Sequence, residues 1–302
     1  MYISDLEEFK NKFQADMSFD FNIRKLNWFN IGGKSKVFFK PRNLKELREF
    51  LILYSNRNKI FVLGLGSNVL FNDNGYDGVI IKLSNNFSNL SKLNSNTIIA
   101  GASCSQKKLS LFAMENNISG FEFMYCIPGS IGGGLKMNSG CFGDEFKDKL
   151  ISLQCIDTNG TIKVIPSNKI KFNYRSIEIE ENLIFLSATF KGNEADKNKI
   201  NEYMNELSLK KNNSQPSKIK TSGSTFKNPI EQTKKKAWEL IKESVPNDIS
   251  FGDASISTKH ANFFVNKKNA TFGEMINLIN YVKKNVKKKT GIDIKLEIKI
   301  VE

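Results

Sequence analysis

Residues 44–54 carry apolar side chains three and four apart, at Leu44, Leu47, Phe50 and Leu51. That spacing predicts a helix with one buried face, and Asn43 stands where a cap belongs. Residues 5–13 predict a short helix. Residues 105–116 predict another, with Leu109, Phe112 and Ala113 apolar. The stretch KIFVLGLG reads as a strand running into glycines, and 79–83, 97–102 and 183–190 read as strands. SLQCIDTNGTIKVIP predicts a hairpin, two β-rich runs around Asn159–Gly160, the pair suited to a type I′ turn. Residues 192–213 turn polar, charged and helical, which suggests a boundary. Beyond it lie a helix near 237–244, a longer one over 272–289 stopped by Gly291, and a closing strand IDIKLEIKIV. Alternation along that strand places Ile294, Leu296, Ile298 and Ile300 on one face and Lys295, Glu297 and Lys299 on the other. No internal repeat is visible.

The fold class is therefore α+β, in a chain of 302 residues that can hold two or three compact units. The longest apolar run, 50–54, is far too short to span a membrane. The first residues, MYISDLEEFKNKF, are acidic where a signal peptide would be basic and then apolar. A cytoplasmic protein is expected, with no membrane partner. Cys104, Cys126, Cys141 and Cys155 form no CxxC pair, and His260 is the only histidine, so no metal site is expected. The net charge of +14 suits an anionic partner. The lysine runs at 210–220 and 282–289 lack interleaved aromatics and read as solvated faces rather than nucleic-acid contacts.

Five stretches could carry chemistry. In VLGLGSNVLFNDNGYDGVIIKL a strand enters Gly64, Leu65, Gly66, Ser67 and Asn68. Glycines there let backbone N–H groups approach a diphosphate, although a plain tight turn has the same look. No helix pattern follows at once, which argues against a Rossmann fingerprint. GFEFMYCIPGSIGGGLKMNSGCFG holds seven more glycines, with Pro128, Gly129, Ser130, Gly132 and Gly133 in its dense part. Two such loops suggest an extended anionic cofactor lying against backbone, and FAD meets that description. In FNYRSIEI, Arg175 follows Tyr174 and is one of only five arginines. Its planar fork suits a carboxylate or phosphate, and a surface ion pair explains it equally. SGSTFKNP presents the Ser224 hydroxyl in a turn, with Lys227 and Asn228 as candidate diphosphate contacts. In KHANFFVN, His260 reads as structural. Glu297 either lines a site or sits on an exposed strand face.

Together these stretches, with AGASCS and AWELI, closely resemble the MurB family of peptidoglycan synthesis. The likeness runs from the FNIGG motif at 29–33 to the C-terminus. The resemblance implies an FAD-binding domain of the vanillyl-alcohol-oxidase type, in two subdomains over 31–196. It is preceded by an N-terminal segment, 1–30. It is followed by a C-terminal α+β substrate-binding domain over 197–302, whose last strand returns to the active site. The family's shorter class, without a substrate-covering insertion, fits best. The implied activity is NADPH-dependent reduction of UDP-N-acetylglucosamine enolpyruvate to UDP-N-acetylmuramate; the two glycine-rich cradles suggest FAD held non-covalently, and a monomer is expected. Ser224 is then the proton donor, and Arg175 and Glu297 hold and polarise the substrate. The family's closing strand reads Glu-x-Arg, where this chain has Glu297–Ile298–Lys299; the lysine keeps the charge but not the bidentate fork. The alternatives are another flavoprotein oxidase or dehydrogenase on this scaffold, or a basic nucleic-acid-binding protein.

Overall fold

The computed structural model describes residues 3–54, 59–217 and 219–302. Lys218, within the basic run at 210–220, lies outside the described residues, as do Met1 and Tyr2 of the N-terminal segment. The chain divides into two compact units, and neither is continuous in sequence. Unit 1 takes residues 1–20, 36–65 and 78–210; unit 2 takes 21–35, 66–77 and 211–302. Segments 21–35 and 66–77 fold with the C-terminal part because their apolar residues Phe29, Ile31 and Leu70 belong to its core.

Unit 1 holds two cores. Helices α1 (Ile3–Phe13) and α2 (Leu44–Tyr54) pack Leu6, Phe9, Leu47, Phe50 and Leu51 against Phe39, Val79 and Ile81. Those last three lie in a four-stranded sheet ordered Met17–Asn22, Lys34–Phe39, Tyr76–Ile81, Ile60–Val62. The Asn43 side chain accepts from Glu46 N–H at 2.9 Å, the expected cap of α2. Leu44, in the first turn, stays exposed. The second core lies on a five-stranded antiparallel sheet ordered Ile162–Pro166, Leu150–Ile156, Ile184–Lys191, Thr97–Gly101, Leu90–Lys92. Helix α3 (Gln106–Glu115), capped by Ser105, and the short helix α4 (Ile131–Lys136) supply Leu109, Ala113, Ile131 and Leu135 to it. Helix α5 (Lys197–Ser214) buries only Ile200, Met204 and Leu207, as its polar sequence implies.

Two local expectations change. The 150–166 hairpin forms, but not through a two-residue type I′ turn. Asp157 pairs with Thr161, Gly160 N–H donates to the Asp157 carbonyl, and only Gly160 is left-handed, at φ +78°. The Asp157 carboxylate accepts from Asn159 N–H and Thr161 N–H, both at 2.9 Å, and this holds Asn159 out of the conformation type I′ requires. The closing segment is not one long strand. Leu296 makes a single bridge to Phe226, and pairing resumes only at Lys299–Val301, parallel to Val69–Phe71. The switch of partner breaks the alternation: Ile294, Ile298 and Val301 are buried, whereas Ile300 is only part-buried.

Unit 2 is built on helices α6 (Ala237–Ser244) and α7 (Phe272–Thr290), packed over the strands Ser250–Phe251, Ala254–Ile256 and Phe264–Asn266. Helix α7 starts in a Thr271–Glu274 capping box, buries Met275, Leu278, Ile279, Val282 and Val286, and ends at Gly291 with φ +75°. Among the described residues, no helix is long and apolar enough to cross a membrane. A methyl at Gly291 would meet nothing within 4 Å, so Gly291→Ala carries only the left-handed backbone penalty. It should cost about 1 kcal/mol in urea unfolding, and Gly291→Asn less. An unchanged midpoint in both would show that the cap contributes nothing.

Candidate active site

In unit 1 the two glycine-rich loops meet. The Ser130 Oγ lies 2.6 Å from where a Cβ on Gly64 would stand, so only a glycine leaves the gap between the loops open. Lys82 Nζ donates to the Gly64 carbonyl at 2.9 Å. Burial, and secondarily Lys40, pulls the Lys82 ammonium below its ordinary pKa. Ser130 Oγ accepts from Gly133 N–H at 3.3 Å and caps α4. Pro128 is exposed, and Gly129 adopts φ +137° while its carbonyl accepts from Gln106 N–H. Part of the glycine run answers to packing instead. Gly132 N–H donates to the Ala102 carbonyl, and a Cβ there would sit 3.2 Å from the Ala102 Cβ. This convergent cradle, with a cation behind it, fits a diphosphate such as that of FAD. The Cys104 thiol is buried and pushed up to about 11, mainly by that burial, which disfavours it as a nucleophile for covalent linkage of a flavin.

Arg175 also belongs to unit 1. It occupies the turn of a hairpin formed by Lys171–Asn173 and Ser176–Glu178, in the left-handed region at φ +57°. That backbone favours glycine, so an arginine there is held at a cost its side chain must offset. Its guanidinium stacks over the Tyr174 ring at 4.9 Å, donates from Nη2 to the Gly140 carbonyl at 2.7 Å, and lies 3.8 Å from Glu145. The side chain is 18% exposed. These contacts hold the fork in a defined orientation.

Unit 2 brings together the remaining residues. Ser224 pairs with Phe263 in a single antiparallel bridge. The next carbonyl, of Thr225, accepts from Glu297 N–H at 2.8 Å. The Glu297 carbonyl accepts from Asn68 Nδ2 at 3.0 Å, and the Asn68 carbonyl accepts from Lys299 N–H at 2.9 Å. Ser224, Glu297 and Asn68, distant in sequence, are therefore neighbours through backbone pairing. Ser67 adjoins Asn68 in this unit, and Gly66 N-terminal to it adopts φ +70° with its carbonyl accepting from Trp28 N–H. Lys227 N–H donates to the Lys295 carbonyl, and the Asn228 side chain caps α6 by accepting from Ala237 N–H at 2.9 Å. Lys299 is exposed. His260 is half-buried, packed edge-on to Phe263 at 4.6 Å, and burial lowers its pKa. Sequence reasoning missed Asn262, which hydrogen-bonds the Ser224 loop and gives no periodic or glycine signal. Among the described residues no cluster of His, Cys, Asp and Glu could hold a metal ion.

A family model for the C-terminal domain of UDP-N-acetylenolpyruvoylglucosamine reductase matches residues 215–301, and one for an FAD binding domain matches 35–165. The UDP-N-acetylenolpyruvoylglucosamine reductase of Pelagibacter ubique is 56% identical over 302 residues, the whole of both chains. This chain belongs to the UDP-N-acetylenolpyruvoylglucosamine reductase family. The Rickettsia massiliae reductase is 40% identical over 280 residues, covering 93% of this chain and 94% of its own. The crystal structure of UDP-N-acetylenolpyruvylglucosamine reductase from Thermus caldophilus superposes with a TM-score of 0.80 at 26% identity, covering 95% of this chain and 99% of that one. The α+β class, an FAD-binding domain followed by the C-terminal domain of this reductase family, stands as the sequence implied. The FAD-binding match encloses Gly64, Lys82 and Ser130; the C-terminal match encloses Ser224 and Glu297.

The cradle makes a prediction. Gly64→Ala should give folded protein with a lower flavin-to-polypeptide absorbance ratio. In a Ser130→Ala background the same change should do less, because the nearest remaining Ser130 atom, Cβ, is at an ordinary 3.7 Å. Full flavin content in Gly64→Ala would show that this gap holds nothing.

Proposed function

We propose that the protein is an FAD-dependent reductase that uses NADPH to convert UDP-N-acetylglucosamine enolpyruvate to UDP-N-acetylmuramate, for peptidoglycan precursor synthesis. The carrying observation, in a chain of this family, is the backbone bond from Glu297 N–H to the Thr225 carbonyl, which joins the Ser224 loop to the Glu297 segment in unit 2. FAD, when bound and reduced by NADPH, supplies the hydride to the terminal vinyl carbon of the substrate. Negative charge then develops on the carbon beside the substrate carboxylate. Arg175 is the cation for that charge: its fork matches a carboxylate and its ring stacking and carbonyl bond fix its direction. Ser224 gives the proton. A carbanion-like centre is basic enough to take a proton from an alcohol, so no histidine need activate the serine. Glu297 helps polarise the substrate. Lys227 is a cation for its diphosphate, and Lys299 a further contact to the substrate. Asn228 would meet the diphosphate with its Nδ2, its side-chain oxygen being held by Ala237 N–H. We read the flavin as non-covalent, lying in the glycine-rich cradle, and the protein as a cytoplasmic monomer.

Ser224→Ala tests this reading in stopped flow, one half-reaction at a time. Flavin reduction by NADPH should be nearly unchanged, because no proton reaches the sugar nucleotide in that half. Reoxidation by the enolpyruvyl nucleotide should slow about 10²- to 10⁴-fold, roughly 3–5 kcal/mol of barrier. Thr225 is fully buried, which leaves water as the substitute donor. Equal slowing of both halves would mean that Ser224 shapes the flavin site and donates nothing.

A further inference from the structure

The KHANFFVN stretch has no part in the chemistry above, yet it holds the Ser224 loop through several bonds and a bridge. Asn262 is 3% exposed. Its backbone carbonyl accepts from Thr225 N–H at 2.8 Å, its Oδ1 accepts from Phe226 N–H at 2.9 Å, and its Nδ2 donates to the Phe226 carbonyl at 2.8 Å. The side-chain amide thus pairs with both polar groups of one residue, as a neighbouring strand would. It does so where the chain itself makes only single-residue bridges, Ser224 to Phe263 and Phe226 to Leu296. His260 Nδ1 accepts from Asn262 N–H at 3.2 Å, which gives the lone histidine a role in orienting this residue. The opposite edge of the loop is fixed by Glu297 N–H on Thr225 and Lys227 N–H on the Lys295 carbonyl. Ser224 itself, flanked by Gly223 at φ +78°, depends on these neighbours for its direction.

We infer that Asn262 is a positioning residue for proton transfer, setting the line along which the Ser224 hydroxyl points. The inference rests on Ser224 being the proton donor. The amide suits this place because, at this length, it offers an acceptor and a donor in a single plane whatever the pH. A leucine would orphan both Phe226 groups, and an ionised aspartate would face the Phe226 carbonyl with a lone pair.

The test compares Asn262→Ala, Asn262→Asp, Ser224→Ala and the double variant Ser224→Ala/Asn262→Ala as FAD-loaded enzymes. Asn262→Ala should keep its flavin and its rate of reduction by NADPH. Its reoxidation by the enolpyruvyl nucleotide should fall about 10- to 100-fold, the scale of an ångström-sized misplacement. The double variant should be no slower than Ser224→Ala alone, because one residue acts through the other. Asn262→Asp adds a pH signature. Only its protonated carboxyl can both accept from Phe226 N–H and donate to the Phe226 carbonyl, so reoxidation should slow as pH rises and the proton is lost. His260, the titratable group against this position, is common to wild type, so the difference between the two profiles belongs to the new carboxyl. Should Asn262→Ala fail to fold, the aspartate profile carries the comparison. Additive slowing in the double variant, equal slowing of both half-reactions, or an Asn262→Asp profile identical to wild type would overturn the inference. A slow Ser224→Ala beside a normal Asn262→Ala overturns this inference alone. A Ser224→Ala with full reoxidation rate overturns it together with the proton-donor reading.

Discussion

The hydrogen bond from Glu297 N–H to the Thr225 carbonyl is the constraint on which unit 2 depends. It is an ordinary backbone bond, worth about 1 kcal/mol net. Its position matters more than its strength. It joins the last segment of the chain to a loop some seventy residues earlier, and the same segment continues into parallel pairing with Val69–Phe71. One short stretch therefore sets the spacing of Asn68, Ser224 and Glu297 together. The loop closures this requires cost chain entropy, and the buried face of α7 with Phe226, Ile294 and Ile298 offsets it.

Unit 1 meets a different demand, which is to bring two backbone loops close together. Two loops more than sixty residues apart must approach without side chains between them. Gly64 permits that approach, Ser130 borders it, and Lys82 holds the first loop by its carbonyl while contributing positive charge. Arg175 shows the same economy: a backbone conformation glycine would take more cheaply is held for the sake of a guanidinium. A point charge on a flexible stem would keep the sign and lose the direction.

Much of this was legible in the sequence, and the limits have physical causes. Helices α2 and α7 could be read nearly to their ends, because apolar spacing and the terminal residues Asn43 and Gly291 point the same way. The glycine loops announced themselves because regular helices and strands tolerate such glycine density poorly. The type of turn after Ile156 did not, because the Asp157 carboxylate competes for the backbone and overrides the preference of an Asn-Gly pair. The closing strand misled because alternation assumes one partner, and this segment changes partner at Ile298. Asn262 was invisible: an asparagine that satisfies a distant backbone looks, in one dimension, like any other polar residue.

The proposed chemistry stands or falls on whether the substrate's carbon beside its carboxylate takes a proton after hydride reaches its neighbour. The direct measurement is anaerobic. The wild-type protein is reduced by one equivalent of NADPH in deuterated water, the enolpyruvyl sugar nucleotide is added, and the product is analysed by NMR. The expected result is stoichiometric flavin reoxidation and one solvent deuteron on the lactyl carbon next to the carboxylate. Flavin that stays reduced until oxygen is admitted, or a product without solvent deuterium on that carbon, would contradict it.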